Sequence, residues 1–230
     1  MKPLNLIMLG PPGAGKGTQA ERFARGRGIP KVSTGDILRE AVHDGTDVGR
    51  RVKATMDRGE LVSDEIMTGI VQERLNRPDA EHGFVLDGFP RTVKQAEALD
   101  ALIDGRGPLI VIDIVVPEAE IVRRLGTRMI CADCGVNAGT LSGSGDGTHQ
   151  DPERCQRCGG KLVQRADDSD PVVIDRLKVY HRETEPLVDY YRHRPTFRSI
   201  NGAQAPDQVA VELAAAIDVA HGLAISGVRQ

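Results

Sequence analysis

The residues best suited to chemistry in this chain are Gly10-Pro-Pro-Gly13-Ala14-Gly15-Lys16-Gly17-Thr18. They follow a short apolar run, Leu4 to Leu9, and open a helical pattern. Glycines let the backbone wrap closely around phosphate, while N–H groups at the positive end of a helix point at the anion. Lys16 stands where it reaches the outer phosphates of a nucleoside triphosphate. A ligand-free glycine turn between strand and helix is the plain alternative, but strand, spacing, lysine and helix coincide here. Gly17 occupies the position where most such loops place a magnesium-binding Ser or Thr, and Thr18 comes one residue later. That departure leaves water to link the loop to the metal.

Four cysteines form a second constellation, Cys131-x2-Cys134-x20-Cys155-x2-Cys158. Two Cys-x-x-Cys knuckles at this spacing suit a tetrahedral zinc ion, and four thiolates leave no open coordination position, so the metal is expected to be structural. Gly135 and Gly159 follow the knuckles and permit the turns. Iron fits the same ligands, and a redox dithiol is the rival in a reducing compartment. His149 reads as a polar surface residue of the intervening loop.

The surrounding elements must position these groups. Leu4 to Leu9, Phe84 to Leu86 and Leu109 to Val116 read as buried strands, with shorter ones near Val32 and Phe197 to Ile200. Helices are expected from Gly15 to about Gly26, Gly35 to His43 and Gly49 to Arg58, after a Ser63 cap, and from Pro206 to His221. A long helical stretch from Pro171 to about Arg192 is expected to bend near Pro186. Strands alternating with helices imply an α/β fold with a parallel sheet covered on both faces. Residues 136–154 are rich in Gly, Ser and Thr with almost no apolar periodicity, and read as part of a small inserted subdomain.

Composition limits the function classes. The chain has 230 residues, 40% hydrophobic and only 3% aromatic, so its core is built mainly from Ile, Leu, Val and Ala. Thirty basic and 33 acidic residues give a net charge of -3, which provides no general attraction to nucleic acid or an anionic membrane. The apolar start is too short to span a bilayer and meets Gly-Pro-Pro-Gly instead of a cleavage pattern. A soluble, cytoplasmic protein is expected.

Three motifs in order bring out a resemblance. Gly13-x-Gly15-Lys16-Gly17-Thr18-Gln19-Ala20, Ser33-Thr34-Gly35-Asp36-x-x-Arg39 and Asp87-Gly88-Phe89-Pro90-Arg91-Thr92 are similar to those of adenylate kinases. The four cysteines, placed after Ile121 to Arg128 and closed by Gln164-Arg-Ala-Asp-Asp168, resemble the zinc-bearing lid of many bacterial members. Departures lie in the lid: Val136-Asn-Ala-Gly139 replaces the usual aromatic and His, a Gly/Ser/Asp run replaces a Pro-rich strand, and Met129 stands where a second Arg is common.

The resemblance implies a phosphate-loop nucleoside monophosphate kinase with a five-stranded parallel sheet, flanked by helices. It implies a core at 1–32, 63–125 and 167–230, an AMP-binding helical segment at 33–62 and a zinc lid at 126–166. It implies ATP, AMP and ADP as ligands, magnesium with ATP and structural zinc. A monomer is expected, because two small segments must swing. Carried over residue by residue, Gly13, Ala14, Gly15, Lys16, Gly17, Thr18, Arg124 and Arg128 hold ATP, with Arg124 against its adenine. Thr34, Arg39, Gly88, Arg91, Gln95, Arg165 and Arg176 hold AMP. Lys16, Arg91, Arg128, Arg165 and Arg176 surround the transferred group, Asp87 orients the magnesium hydration shell and Asp167 ties the lid to the arginines. Thr34 and Gln95 touch the base of AMP, although Thr34 also suits a helix cap and Thr92-Val-Lys-Gln95 a capping box. A kinase for another nucleoside monophosphate and a zinc-ribbon binding module are the alternatives. The first is opposed by Thr34, where pyrimidine kinases usually carry Ala. The second is opposed by the absence of aromatics around the cysteines.

Overall fold

In the computed structural model the described residues are 3–138 and 153–226. His149 and most of the glycine-rich loop lie outside them. The chain runs through β1 (Leu4–Leu9), α1 (Lys16–Arg27), β2 (Lys31–Ser33), α2 (Thr34–His43), α3 (Asp47–Asp57) and α4 (Asp64–Leu75). It continues with β3 (Gly83–Asp87), α5 (Val93–Leu102), β4 (Leu109–Val115) and α6 (Glu118–Gly126). The cysteine region carries β5 (Met129–Cys131) and β6 (Leu162–Gln164). After it come α7 (Asp170–Val179), α8 (Pro186–Tyr191), β7 (Phe197–Asn201) and α9 (Pro206–Ser226).

Five strands form a parallel sheet in the order β2-β3-β1-β4-β7, as the alternating pattern predicts, and β5 pairs antiparallel with β6. Side chains of a strand alternate between faces, so Leu6 and Met8 of β1 enter one apolar cluster while Ile7 and Leu9 enter the other. The first cluster is closed by α1, α6, α7 and α9 through Phe23, Leu125, Leu177 and Leu213. The second is closed by α2, α4, α5 and α8 through Leu38, Val71, Leu99 and Tyr191. A sheet buried on both faces leaves only its edges and strand ends for a ligand. Among the described residues no helix is long and apolar enough to cross a membrane.

Local chemistry moves several predicted boundaries. The helix expected at Gly49 begins at Asp47, because the Thr46 hydroxyl accepts the Gly49 N–H at 3.1 Å. Ser33, not Thr34, caps α2 by accepting the Asp36 N–H at 3.3 Å. Ser63 sits at the N-cap of α4 without a side-chain cap bond, its hydroxyl turned to Glu65. The bend expected at Pro186 takes the form of a π turn over Tyr180–Thr184, closed by the Glu185 N–H on the Tyr180 carbonyl at 2.9 Å. A wider turn makes room for a ring that would otherwise strike the carbonyl four residues back.

Candidate nucleotide site and cysteine cluster

Loops at the carboxyl ends of the strands surround a cleft of about 1920 Å³. Its floor is the loop between β1 and α1, including Gly13, Ala14, Gly15, Lys16, Gly17 and Thr18. Gly13 adopts φ 83°, and a Cβ there would lie 2.9 Å from Leu125 of α6, so the loop depends on a residue without a side chain. Lys16 Nζ donates to the carbonyls of Gly10 at 2.7 Å and Pro11 at 2.8 Å. Burial pulls its pKa down to about 8; Asp87 opposes that fall, while Arg91, Arg176 and Arg128 add to it. A Cβ at Gly17 would meet Asp87 Oδ2 at 3.0 Å. The carboxylate at the end of β3 thus lies close against the position where most such loops carry a hydroxyl.

A second set of groups gathers at the ends of β2 and β3. Thr34 is fully buried and donates its hydroxyl to the Gly88 carbonyl at 2.9 Å. Arg91 Nε donates to the same carbonyl at 2.9 Å, and the Arg91 carbonyl accepts the Thr184 hydroxyl at 2.9 Å. Arg39 pairs with Asp36 of its own helix and lines the cleft. Gln95 accepts the Arg91 N–H on its side-chain oxygen at 2.8 Å and donates its own backbone N–H to the Thr92 hydroxyl oxygen at 3.1 Å. The reciprocal bond of the capping box is therefore displaced by one residue, to Arg91.

Arginines from remote parts of the chain close the other wall. Arg128 grips Asp168 through Nε at 2.6 Å and a terminal nitrogen at 2.5 Å, and Arg176 reaches the same carboxylate at 2.7 Å. Arg176 also lies 3.1 Å from Asp167, which is held below the usual carboxylate range: burial raises it, but Arg176, Arg165 and Arg128 outweigh burial. Arg165 Nε is buried without a hydrogen-bond acceptor, the nearest carboxylate oxygen being Asp167 Oδ1 at 3.6 Å. Burial, then Arg39 and Arg128, lower its pKa to about 9; burial, then Arg176, lowers that of Arg91 to about 10. Cations that depress one another in a desolvated space have the chemistry to take a polyanion. Arg124 lines the cleft beside it, held by Glu120 at 2.7 Å.

Asp168 is a residue that sequence reasoning missed. Two adjacent acids stand after Arg165 and Ala166, and the resemblance gives only the first, Asp167, a role; the turn over Ala166–Asp168 brings both carboxylates to Arg176. Asp64 also escaped notice, because an acid at a helix start looks like a partner for the helix dipole alone.

The cysteines fit a single metal ion. All four Sγ atoms lie within 4.8 Å of one another, with Cys131 to Cys158 at 3.4 Å and Cys134 to Cys155 at 3.7 Å. A tetrahedral zinc ion with bonds of about 2.3 Å needs sulfurs about 3.8 Å apart. Each knuckle turns at a glycine with positive φ, 67° at Gly135 and 77° at Gly159. The backbone N–H groups of Cys134 and Asp133 lower the Cys131 thiol to about 7, whereas burial pushes Cys134 up. At Cys158 the Gly160 N–H is outweighed by the neighbouring thiols, which push it up to about 12, so these thiols share their protons unevenly. Strands β5 and β6 hold one knuckle, and Gly160 packs so closely that a Cβ would meet Cys131 Sγ at 2.8 Å.

The family model described as Adenylate kinase matches residues 8–196. The chain belongs to the adenylate kinase family. An adenylate kinase of Archaeoglobus fulgidus is 48% identical over 217 residues, covering 94% of this chain and 98% of that protein. Adenylate kinases of Rhizobium etli and Moorella thermoacetica are each 46% identical, covering 92% and 93% of this chain and 98% of each relative. The four clustered cysteines suit the zinc lid of this family.

Proposed function

We propose that the protein catalyses reversible phosphoryl transfer between ATP and AMP, giving two ADP, with magnesium accompanying ATP. The observation that carries this reading is the convergence of Lys16, Arg91, Arg128, Arg165 and Arg176 on one cleft, with Arg165 Nε buried and without a hydrogen-bond acceptor. Phosphoryl transfer asks little covalent chemistry of a protein; it needs two nucleotides in line, positive charge and exclusion of water.

In this reading Gly13 to Thr18 wrap the ATP phosphates, and Lys16 exchanges its loop carbonyls for phosphate oxygens. Arg124 leaves Glu120 to pack against adenine. Arg39 and Arg91 grip the phosphate of AMP, with Thr34, Gly88 and Gln95 around its base. Arg128, Arg165 and Arg176 bridge the two nucleotides and offset charge on the transferred group, a role in which one group commonly contributes several kcal/mol. Asp87 would hold the hydration shell of magnesium, which supplies charge neutralisation at the phosphate oxygens. Cys131, Cys134, Cys155 and Cys158 would hold zinc, which stiffens the segment. We assign the core to 1–32, 63–125 and 167–230, the AMP segment to 33–62 and the lid to 126–166. A cytoplasmic monomer without nucleic-acid or membrane partners completes the proposal.

The test is ADP formation from ATP and magnesium with AMP, CMP, UMP or GMP offered separately. Turnover with AMP far above the others supports the reading. Turnover mainly with another monophosphate overturns the base assignment, and none with any overturns the reaction.

A further inference from the structure

Gln95 is held by two partners of opposite sense. Its Oε1 accepts the backbone N–H of Arg91 at 2.8 Å, and its Nε2 donates to Asp64 Oδ1 at 2.8 Å. A backbone N–H can only donate and an ionised carboxylate can only accept, so the two faces of the carboxamide cannot be exchanged. Asp64 is itself steadied by the Thr92 hydroxyl, which donates to the same Oδ1 at 3.0 Å. One Nε2 hydrogen and one Oε1 lone pair remain on a side chain that lines the cleft.

That fixed polarity has a chemical consequence. A 6-aminopurine offers an amino donor beside a ring-nitrogen acceptor, which a carboxamide meets with its oxygen and its N–H in one orientation. A 6-oxopurine offers the reverse order and requires the carboxamide turned over. Thr34 adds to the bias: its proton is committed to the Gly88 carbonyl, so only oxygen lone pairs are left toward the cleft.

We propose that Asp64 is a positioning residue that locks the Gln95 carboxamide and thereby selects 6-amino over 6-oxo purine monophosphates. The proposal rests on Gln95 facing the base of the acceptor nucleotide. In the unlocked protein Gln95 turns over more readily, and a 6-oxo substrate gains what a 6-amino substrate loses.

The experiment compares kcat/KM for AMP and IMP, which differ only at this edge, in the native protein, Asp64→Ala, Asp64→Leu and Asp64→Asn. Calorimetric binding of both monophosphates gives the same ratio without turnover, and thermal unfolding reports folding. Asp64→Ala is expected to lower the AMP:IMP preference about ten-fold, the effect of one charge-assisted hydrogen bond, chiefly through KM for AMP. Asp64→Leu matches the carboxylate in shape without accepting, and serves if the alanine variant fails to fold. Asp64→Asn is expected to retain most of the preference, since its Oδ1 accepts the same two bonds. In a Gln95→Ala background the Asp64→Ala change is expected to leave the ratio unmoved. An unchanged ratio in folded Asp64→Ala or Asp64→Leu overturns the lock, as does an equal fall in the Gln95→Ala background. If the native protein forms no ADP from ATP and AMP, the functional reading itself falls; if it does and the ratio stays fixed, only the role of Asp64 falls.

Discussion

Asp168→Ala puts the arginine wall to its most direct test. The carboxylate is fully buried and takes two bonds from Arg128, at 2.6 and 2.5 Å, and one from Arg176 at 2.7 Å. Alanine leaves both guanidinium groups in place, with side chains only 16% and 17% exposed. Removing one partner of a buried ion pair costs about 3–5 kcal/mol, because the remaining charge stays desolvated. Asp167 stays near Arg176, which favours the lower end of that range. In a chain of this length each kcal/mol moves the melting temperature by roughly 2–4 °C, so a fall of about 10 °C is expected without nucleotide. Saturating ATP should narrow the gap between native and variant protein, since its phosphates supply the missing anion. Scanning calorimetry with and without ATP measures both effects. A nucleotide-free melting temperature within about 2 °C of native would refute the view that Asp168 balances this wall.

The lowered pKa of Lys16 predicts that kcat/KM for ATP falls as pH rises through about 8, when the free protein loses the ammonium proton. The unfolded chain keeps that proton to the ordinary 10.5, so the contribution of this group to stability improves between those values, and alkaline unfolding curves check the sign. Gly17→Ala should lower kcat roughly ten-fold with little change in melting temperature, because its Cβ presses on Asp87; native turnover would show the close approach to be unimportant. Gly160→Ala should reduce bound metal, since its Cβ overlaps the Cys131 and Asp133 side chains, and elemental analysis of purified protein reads the stoichiometry directly. Chelation should release zinc and lower the melting temperature of the native protein; a preparation containing neither zinc nor iron would remove the basis for a metal lid.

Much of this protein was legible in its sequence, because much of its chemistry is local. The phosphate loop, the turns after Cys134 and Cys158, and the strand runs depend on residues a few positions apart, and a short unbroken apolar run announces a strand buried on both faces. Membership of a family was legible for the same reason: Gly13 to Ala20, Ser33 to Arg39 and Asp87 to Thr92 are each contiguous. Even the odd Gly17 was visible, but its closeness to Asp87 was not, since that residue arrives from a strand far along the chain.

Only the tertiary structure decided which polar groups are paired. Asp168 and Arg128 are 40 positions apart, Asp64 and Gln95 are 31, and no pattern distinguishes Asp168 from Asp167, or Ser33 from Thr34 as a cap. An apolar residue declares its burial by type and period. A charge or amide accepts any partner of suitable sign and geometry, and the partner is chosen only when the packed core brings the two elements together.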